Sequence, residues 1–168
     1  PGRVPVLEWI VSRPEAEARR LLAQVADWER AHAAQARAAT GADALLRNLR
    51  RCGHELGILT RNRRDLALLT LASCGLGAHF DPAEVLGREE AEPKPSPAGV
   101  RALLDRWQAH PEQAVMVGDY LHDMAAGRAA GVATVLVAAN RPVGWPVDLL
   151  VAGLDELALR LRPAREQT

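Results

Sequence analysis

The sequence of 168 residues has little of several features that mark specialised classes of protein. Its two cysteines, Cys52 and Cys74, form no metal-binding or redox motif, and we expect them to be buried thiols in a reducing cytoplasm. The 21 basic side chains balance 21 acidic ones, so no net field favours nucleic acid or an anionic membrane. The longest apolar stretch, Ala129 to Ala139, is too short to span a bilayer, and the opening residues carry no apolar leader. We therefore expect a cytoplasmic protein of bacterial character with no nucleic acid or membrane partner.

Lysine is nearly absent as well. Among the 21 basic side chains Lys94 is the one lysine, and all the others are arginines. Arginine and alanine dominate the helical surfaces, as a GC-rich coding bias would produce. A lysine kept against that bias indicates a position that needs a compact ammonium group on a flexible stem. Chance is the alternative explanation.

The composition that remains is that of a globular domain, with 48% apolar and 25% charged residues. Its first part is helix-forming, and Glu15 to Ala39 is predicted as one amphipathic helix. The apolar stripe of this helix consists of Leu21, Leu22, Val25, Trp28 and Ala31. A membrane-surface helix is disfavoured because acidic residues are interspersed with the arginines. We predict a small helical subdomain over residues 1–39.

From residue 40 onwards helices alternate with short apolar runs, which predicts an α/β fold with a parallel sheet. The predicted strands are Glu55–Leu59, Glu84–Leu86, Ala114–Val117, Ala133–Val137 and Leu149–Val151. The predicted helices are Ala42–Arg51, a helix capped by Asn62 that runs to Ser73, Ser96–Gln108, Leu121–Ala130 and Asp155–Leu161.

A hydroxyl residue, Thr60, follows the first of these strands. Ligands of open parallel sheets bind at the carboxyl ends of the strands. Thr60 stands directly before a predicted helix start, where free N–H groups favour an anion. A simple cap or turn residue is the alternative interpretation.

Two carboxylates follow the third predicted strand. Asp119 comes directly after Gly118, and Asp123 lies about one helical turn later on the same side. Paired carboxylates repel each other unless a cation lies between them, and oxygen ligands of this kind suit Mg²⁺. The alternative is that Asp123 only favours a helix N-terminus electrostatically.

Lys94 lies in a rigid, proline-rich segment, Glu92 to Pro97, between these two loops. A polyproline linker is the alternative interpretation of this segment. The histidines show no ligand spacing and are assigned to surface or packing roles: His32, His54, His79, His110 and His122. We expect Thr60, Lys94 and Asp119 to converge on one cleft at the carboxyl edge of the sheet.

In this order and spacing, Thr60, Lys94, Asp119 and Asp123 resemble the haloacid dehalogenase-like hydrolase superfamily. The matching segments are residues 57–62 (GILTRN) for the second family motif, 93–95 (PKP) for the third and 118–123 (GDYLHD) for the fourth. The dipeptide at 81–82 (DP) and the segment 127–131 (GRAAG) resemble those of the phosphoglycolate-phosphatase-like branch. The resemblance covers about Gly41 to Leu161.

The resemblance implies a Rossmann-like, doubly wound parallel sheet over residues 40–168, with a small helical cap. It implies an Mg²⁺-dependent phosphatase that acts on a small phosphate monoester through an aspartyl-phosphate intermediate. Thr60 and Lys94 would be catalytic and would bind phosphate together with Arg61 and Asn62. Asp119 and Asp123 would hold Mg²⁺.

The first family motif, an Asp-x-Asp-Gly-Thr run whose first Asp is the nucleophile, is missing from these 168 residues. Pro1 to Leu7 contains two prolines and no Asp, so it is not that buried strand. In family members the strand lies between those ending at Thr60 and Asp119, and its absence would leave a gap of about 9–10 Å. We expect the nucleophile to lie in a segment upstream of Pro1.

Three other functional hypotheses are alternatives to a phosphatase. A non-catalytic scaffold or phosphate-binding module that has lost the nucleophile stays open. A response-regulator receiver is disfavoured because its acidic cluster precedes its Thr and Lys in the chain. A dehalogenase of the same superfamily needs no metal, and the retained Asp119 and Asp123 argue against it.

Overall fold

The computed structural model describes residues 9–10 and 12–161, so the segment Pro1 to Leu7 lies outside the described residues. The helices are α1 (Glu15–Ala34), α2 (Ala42–Arg51), α3 (Arg64–Ser73), α4 (Ala98–Trp107), α5 (Leu121–Ala130) and α6 (Leu154–Arg160). The strands are β1 (Ile58–Leu59), β2 (Val85–Leu86), β3 (Val115–Gly118), β4 (Ala133–Val137) and β5 (Leu149–Val151). Short 3₁₀ turns occur at Gly77–His79, Pro82–Glu84 and Pro111–Gln113. The predicted bounds of α2, α5, β4 and β5 are confirmed at both ends.

The prediction that Asn62 caps α3 is wrong. Arg63 occupies the cap position in an extended conformation, and the helix begins at Arg64. The backbone N–H of Asn62 instead donates to Thr60 Oγ1 at 3.1 Å. This short-range hydrogen bond fixes a turn after β1 and delays the helix start, because a side-chain acceptor competes with helical geometry.

Other predicted elements are shorter in the structure. The first helix ends at Ala34 instead of Ala39, and the strand predicted over Glu55–Leu59 is reduced to β1. β1 pairs with β2, which has only two residues. The residues of the predicted strand that precede Ile58 therefore have no residue of β2 to pair with. The helix predicted over Ser96–Gln108 begins two residues later, at the start of α4.

Every strand pair in the described residues is parallel, as the alternation of helices and strands predicts. β1 pairs with β2, and β4 lies between β3 and β5. Helices α4 and α5 pack on one face through Val100, Leu104 and Ala126, whereas α2 and α6 cover the other face through Leu45 and Leu157. Helices on both faces of parallel strands make this a doubly wound, Rossmann-like arrangement.

Helix α4 holds the two sheets together. Leu59 of β1 packs against the apolar cluster of α4 and α5, to which Met116 of β3 also contributes. Gly99 in α4 lies so close to Leu59 that a Cβ atom would be 3.0 Å from Leu59 Cδ2. Close packing of one helix against both strands brings the ends of β1 and β3 to the same region.

The edges of β1 and β3 that do not pair with β2 and β4 are open within the described part of the chain. Thr60 N–H donates to Leu86 O at 2.9 Å, so the carbonyl of the preceding residue, Leu59, points away from β2. On β3, Val115 is 51% exposed and Val117 is 40% exposed. An open edge beside half-exposed valines is a surface on which a further strand could pair.

The N-terminal helix α1 packs against α3. The predicted apolar stripe of α1 is largely uncovered by the described residues: Leu22 is 39% exposed and Trp28 is 62% exposed, whereas Ala33 is buried. The division of the chain at residue 39 stays a prediction. Neither α1 nor any other helix in the described residues combines the length and apolarity needed to cross a membrane.

Thr134 and Asp148 form a polar cluster at the amino-terminal end of the three-stranded sheet. Thr134 begins the buried part of β4, and both its backbone N–H and its hydroxyl donate to Asp148 Oδ2 at 2.8 Å. Thr134 is fully buried. These hydrogen bonds from Thr134 lower the pKa of Asp148 below its ordinary value. Asp148 therefore stabilises the sheet from the edge opposite to the carboxyl ends.

We expect the stabilisation by Asp148 to disappear in acid. A carboxyl group whose pKa is lowered in the folded state stabilises that state at pH values above the pKa of the same group in the unfolded chain, about 3.9. This stabilisation is lost as the pH falls through the lowered pKa of the folded state. The free energy of unfolding of Asp148→Asn should lie below that of the wild type at neutral pH and approach it below about pH 4. Urea unfolding across pH measures this difference. Asp105→Asn, an exposed change on α4, is the control; a difference that does not vary with pH would contradict the prediction.

Candidate active site

Lys94 connects the end of β1 to the start of α5. Its ammonium group donates to the carbonyl oxygen of Leu59 at 2.6 Å and pairs with Asp123 Oδ1 at 2.6 Å. The Lys94 side chain is 12% exposed and that of Asp123 is 9% exposed. The residue singled out by composition therefore lies largely buried between the two loops that carry the other predicted site residues.

Backbone contacts position the Asp123 carboxylate independently of its ion pair with Lys94. Asp123 is the third residue of α5, and its Oδ2 accepts the N–H of Tyr120 at 3.0 Å. Gly118, the residue before Asp119, lies directly against Asp123: a Cβ atom at Gly118 would be 2.5 Å from Asp123 Cγ. Glycine at this position thus allows the carboxylate to lie over the end of β3. Asp123 favours the helix start electrostatically, as the alternative interpretation holds, and also forms an ion pair.

Thr60 lies at the carboxyl end of β1, next to the Leu59 carbonyl. Its Oγ1 accepts the Asn62 N–H, which leaves the hydroxyl hydrogen available to donate to a ligand. The Asn62 carbonyl accepts the N–H of Arg88 at 2.9 Å, so the loop after β1 is fastened to the loop after β2. These bonds hold the Thr60 hydroxyl in a defined turn.

Asn62 also borders a different part of the surface. It lines a surface cleft between α1 and α3, together with Trp28, His32 and Thr70. Within the described residues no hydrogen bond joins it to Lys94 or Asp119. Arg61 likewise has no hydrogen bond to Lys94 among the described residues, so phosphate binding by Arg61 and Asn62 stays a prediction.

Arg61 and His122 form a second connection between the same two loops. Arg61 Nη1 lies 3.0 Å from His122 Nδ1. Because a guanidinium has donors only, Arg61 donates and Nδ1 accepts in this contact. The ring of Tyr120 lies edge-on to His122, with 5.2 Å between the centroids.

The sequence interpretation did not predict the contact between His122 and Arg61. It assigned this histidine to a surface or packing role because no ligand spacing connects it to the other histidines. The partner of His122 is 61 positions away in the chain, so no local pattern could reveal the pair. Its place directly before Asp123 is the one signal that could have drawn attention to it.

Asp119 is the first residue after β3 and is exposed. Within the described part of the chain its carboxylate takes part in no hydrogen bond or ion pair, and no group of three His, Cys, Asp or Glu side chains is placed to hold a metal ion. Asp119 and Asp123 nevertheless fit Mg²⁺, which usually takes one or two carboxylates and completes its shell with water and phosphate oxygens.

Together these residues place a buried ammonium, a free hydroxyl donor, two carboxylates and a guanidinium at the carboxyl ends of β1 and β3. Cations and donors held in fixed positions stabilise the charge that develops on a transferring phosphoryl group. The arrangement is therefore suited to binding and neutralising a phosphate.

Comparison with known proteins agrees with this chemistry. The sequence matches the family described as haloacid dehalogenase-like hydrolase over residues 9–137. It is 42% identical over 93 residues to a pyrophosphatase, PpaX, of Bacillus velezensis, covering 55% of this chain and 43% of that protein. It is 36% identical over 130 residues to a plasmid-encoded phosphoglycolate phosphatase of Cupriavidus necator, covering 74% of this chain and 56% of that protein. The chain thus spans about half the length of these curated relatives.

A solved structure shows the same fold. The crystal structure of a predicted phosphoglycolate phosphatase from Haemophilus somnus superposes with a TM-score of 0.80 at 22% identity, covering 89% of this chain and 69% of that chain. The family match includes β1, β2, β3 and β4 and therefore every residue of the site described above. On this sequence match and this fold, the chain belongs to the haloacid dehalogenase-like hydrolases.

Proposed function

We propose that the protein is an Mg²⁺-dependent phosphohydrolase that acts on a small phosphate ester through an aspartyl-phosphate intermediate. The observation that carries this proposal is the position of Lys94, held between the Leu59 carbonyl and Asp123 beside Thr60. The relatives named as pyrophosphatase and phosphoglycolate phosphatase support a phosphate substrate. Cys52 and Cys74 are free, which favours a place in the cytoplasm, although Cys52 is exposed and not buried as predicted.

Each side chain has a distinct task in this proposal. The Thr60 hydroxyl donates to one oxygen of the phosphoryl group, and the Lys94 ammonium neutralises a second oxygen together with the attacking carboxylate. Asp119 would be the carboxylate that holds Mg²⁺, with Asp123 beside it; the bound ion supplies further neutralisation of the phosphoryl charge. Asp123 also keeps Lys94 in position, since one of its oxygens already pairs with the ammonium.

The attacking carboxylate comes from outside the described residues. Asp119 and Asp123 are assigned to the metal, and Asp148 lies at the opposite edge of the sheet. Asp43 pairs with His79, and Asp65 pairs with Arg63. The open edges of β1 and β3 support a further strand between them, which would bring an aspartate in line with phosphorus. That aspartate would form a bond to phosphorus as the leaving-group oxygen departs, and water would then hydrolyse the acyl phosphate.

The proposal also divides the chain into a helical cap over residues 1–39 and a hydrolase core over residues 40–168. Two observations support the division. Helix α1 contacts the core through α3, and much of its apolar stripe is left uncovered by the described residues. A cap of this kind would cover the carboxyl edge only in part.

The test compares two versions of the protein on p-nitrophenyl phosphate, with Mg²⁺ and with a chelator. One version is the 168-residue chain, and the other carries the upstream residues of its natural reading frame. We expect turnover only from the longer version with Mg²⁺, and we expect Asp119→Asn in that version to abolish it. Because both carboxylates of the described site, Asp119 and Asp123, are assigned to the metal, the shorter chain should at most bind phosphate.

Two results would contradict the proposal. Turnover by the 168-residue chain would show that the nucleophile is one of its own residues. A folded but inactive longer version would favour the second candidate, a phosphate-binding module without catalysis.

A further inference from the structure

We propose that the cleft between α1 and α3 binds the leaving group of the substrate, and that this group carries a planar aromatic ring. The inference rests on the proposed function and deepens it, because it names the chemical class of the ester. Trp28 would be a specificity-determining residue that contacts the ring. Thr60 and Lys94 would hold the phosphoryl group, as described above.

The cleft lies between the predicted cap and the predicted core. It has a volume of about 310 Å³ and is bordered by residues of α1 on one side and of α3 and the loop before it on the other. A cavity of about 150 Å³ is enough for one benzene molecule, so this cleft has room for a single ring with its substituents. Small-molecule sites occur preferentially at interfaces of this kind.

Trp28 and His32 form an aromatic surface on the α1 side of the cleft. They are four positions apart, so both side chains lie on the same face of the helix, and their ring centroids are 3.8 Å apart. His32 Nδ1 donates to the Trp28 carbonyl at 2.8 Å, which holds the imidazole against the indole. The indole is nevertheless 62% exposed. An exposed tryptophan that is held in place is suited to stack on the ring of a ligand.

The other residues of the cleft suit a ring with polar atoms at its edge. Ala33 and Ala36 follow the aromatic pair along the chain and, because they are small, leave space beside it. Asn62 and Thr70 border the cleft from the α3 side and supply an amide and a hydroxyl. An apolar surface with a few hydrogen-bonding groups is the usual composition of a site for a small organic ligand.

Asn62 connects the cleft to the phosphate site. Its backbone N–H donates to Thr60 Oγ1 at 3.1 Å, so a residue that borders the cleft directly contacts the hydroxyl proposed to bind the phosphoryl group. The leaving group is joined to that phosphoryl group through one oxygen and must therefore begin close to Thr60. A second cleft near the same loop, of about 240 Å³, has no aromatic residue among those that line it, and its Arg63 is paired with Asp65.

The experiment measures the binding of three phosphonates, which cannot be hydrolysed, to the full-length protein with Mg²⁺. Benzylphosphonate carries an aromatic ring, cyclohexylmethylphosphonate carries a saturated ring of similar size, and methylphosphonate carries no ring. Titration calorimetry should show that the wild type binds benzylphosphonate most tightly. Trp28→Ala should weaken benzylphosphonate about tenfold and change the affinity for methylphosphonate by less than about twofold.

Two further variants make the result specific to the ring of Trp28. Trp28→Phe keeps an aromatic ring and should recover most of the affinity for benzylphosphonate. Trp9→Ala is the matched control and should change none of the three affinities. Trp9 is 43% exposed, the Arg13 guanidinium lies 4.2 Å from its ring centroid, and it is not among the residues that line the cleft. Because Trp28 is largely exposed, its replacement should leave the urea midpoint near that of the wild type.

The outcomes separate this inference from the proposed function. If Trp28→Ala weakens benzylphosphonate and methylphosphonate equally, Trp28 acts on the phosphoryl group, and the inference fails while the phosphate site stands. If it weakens neither, or if the saturated ring binds the wild type as tightly as the aromatic one, the inference also fails. If the wild type binds none of the phosphonates, the proposed phosphate site fails and the inference fails with it.

Discussion

Replacing Asp123 by alanine is expected to lower the free energy of unfolding by about 3 kcal/mol. Lys94 is 12% exposed, and Asp123 is its partner carboxylate at 2.6 Å. Without that carboxylate the buried ammonium keeps only the Leu59 carbonyl, and a buried charge that loses its counter-ion is costly. The N–H of Tyr120 also loses its acceptor.

The matched control for this experiment is Asp119→Ala. Asp119 is exposed and has no partner in the described residues, so its removal should change stability by less than about 0.5 kcal/mol. Urea unfolding in the absence of Mg²⁺ compares the two variants. Adding Lys94→Met to Asp123→Ala should recover part of the loss, because it removes the stranded charge. Equal stability of the two aspartate variants would contradict the buried ion pair.

Replacing Lys94 by arginine is expected to reduce turnover of the full-length, Mg²⁺-loaded enzyme about 10²-fold. The ammonium fits between two oxygens, each at 2.6 Å, in a space where its side chain is 12% exposed. A guanidinium keeps the charge, but it is planar and wider and presents its donors as a fork. It would have to displace either Asp123 or the phosphoryl group.

Two measurements make the effect of Lys94→Arg specific. The variant should remain folded, as judged by its urea midpoint, so that lost turnover reports on the site. Arg101→Lys is the control: Arg101 lies exposed on α4, where it donates to Ala129 O at 3.0 Å, and turnover should stay near normal. Near-normal turnover of Lys94→Arg on a phosphate ester would count against the proposed role.

The sequence by itself determined both ends of α2, α5, β4 and β5 and which residues follow the strands. Helix α5 ends at Gly131, which adopts φ +83, a conformation that glycine accepts without strain. The run from Ala133 to Val137 predicts a strand, and β4 has the predicted bounds. Asp119 and Asp123 could be placed after β3 in the same way, because strand, glycine and helix start all lie within a few residues. The glycine after a helix and the apolar run of a strand are local sequence patterns, because the backbone conformation of a few neighbouring residues determines them.

The tertiary structure alone decided which of these residues meet. Lys94 reaches the Leu59 carbonyl 35 positions earlier in the chain, and Arg61 reaches His122 61 positions later. Neither contact leaves a periodic trace in the sequence, because both depend on α4 packing across β1 and α5. Pairing with β2 likewise set the length of β1, and the hydrogen bond to Thr60 Oγ1 placed Asn62 in the loop before α3 instead of at its predicted cap. Local patterns specify an element and its ends, but contacts between loops follow from how helices pack against the sheet.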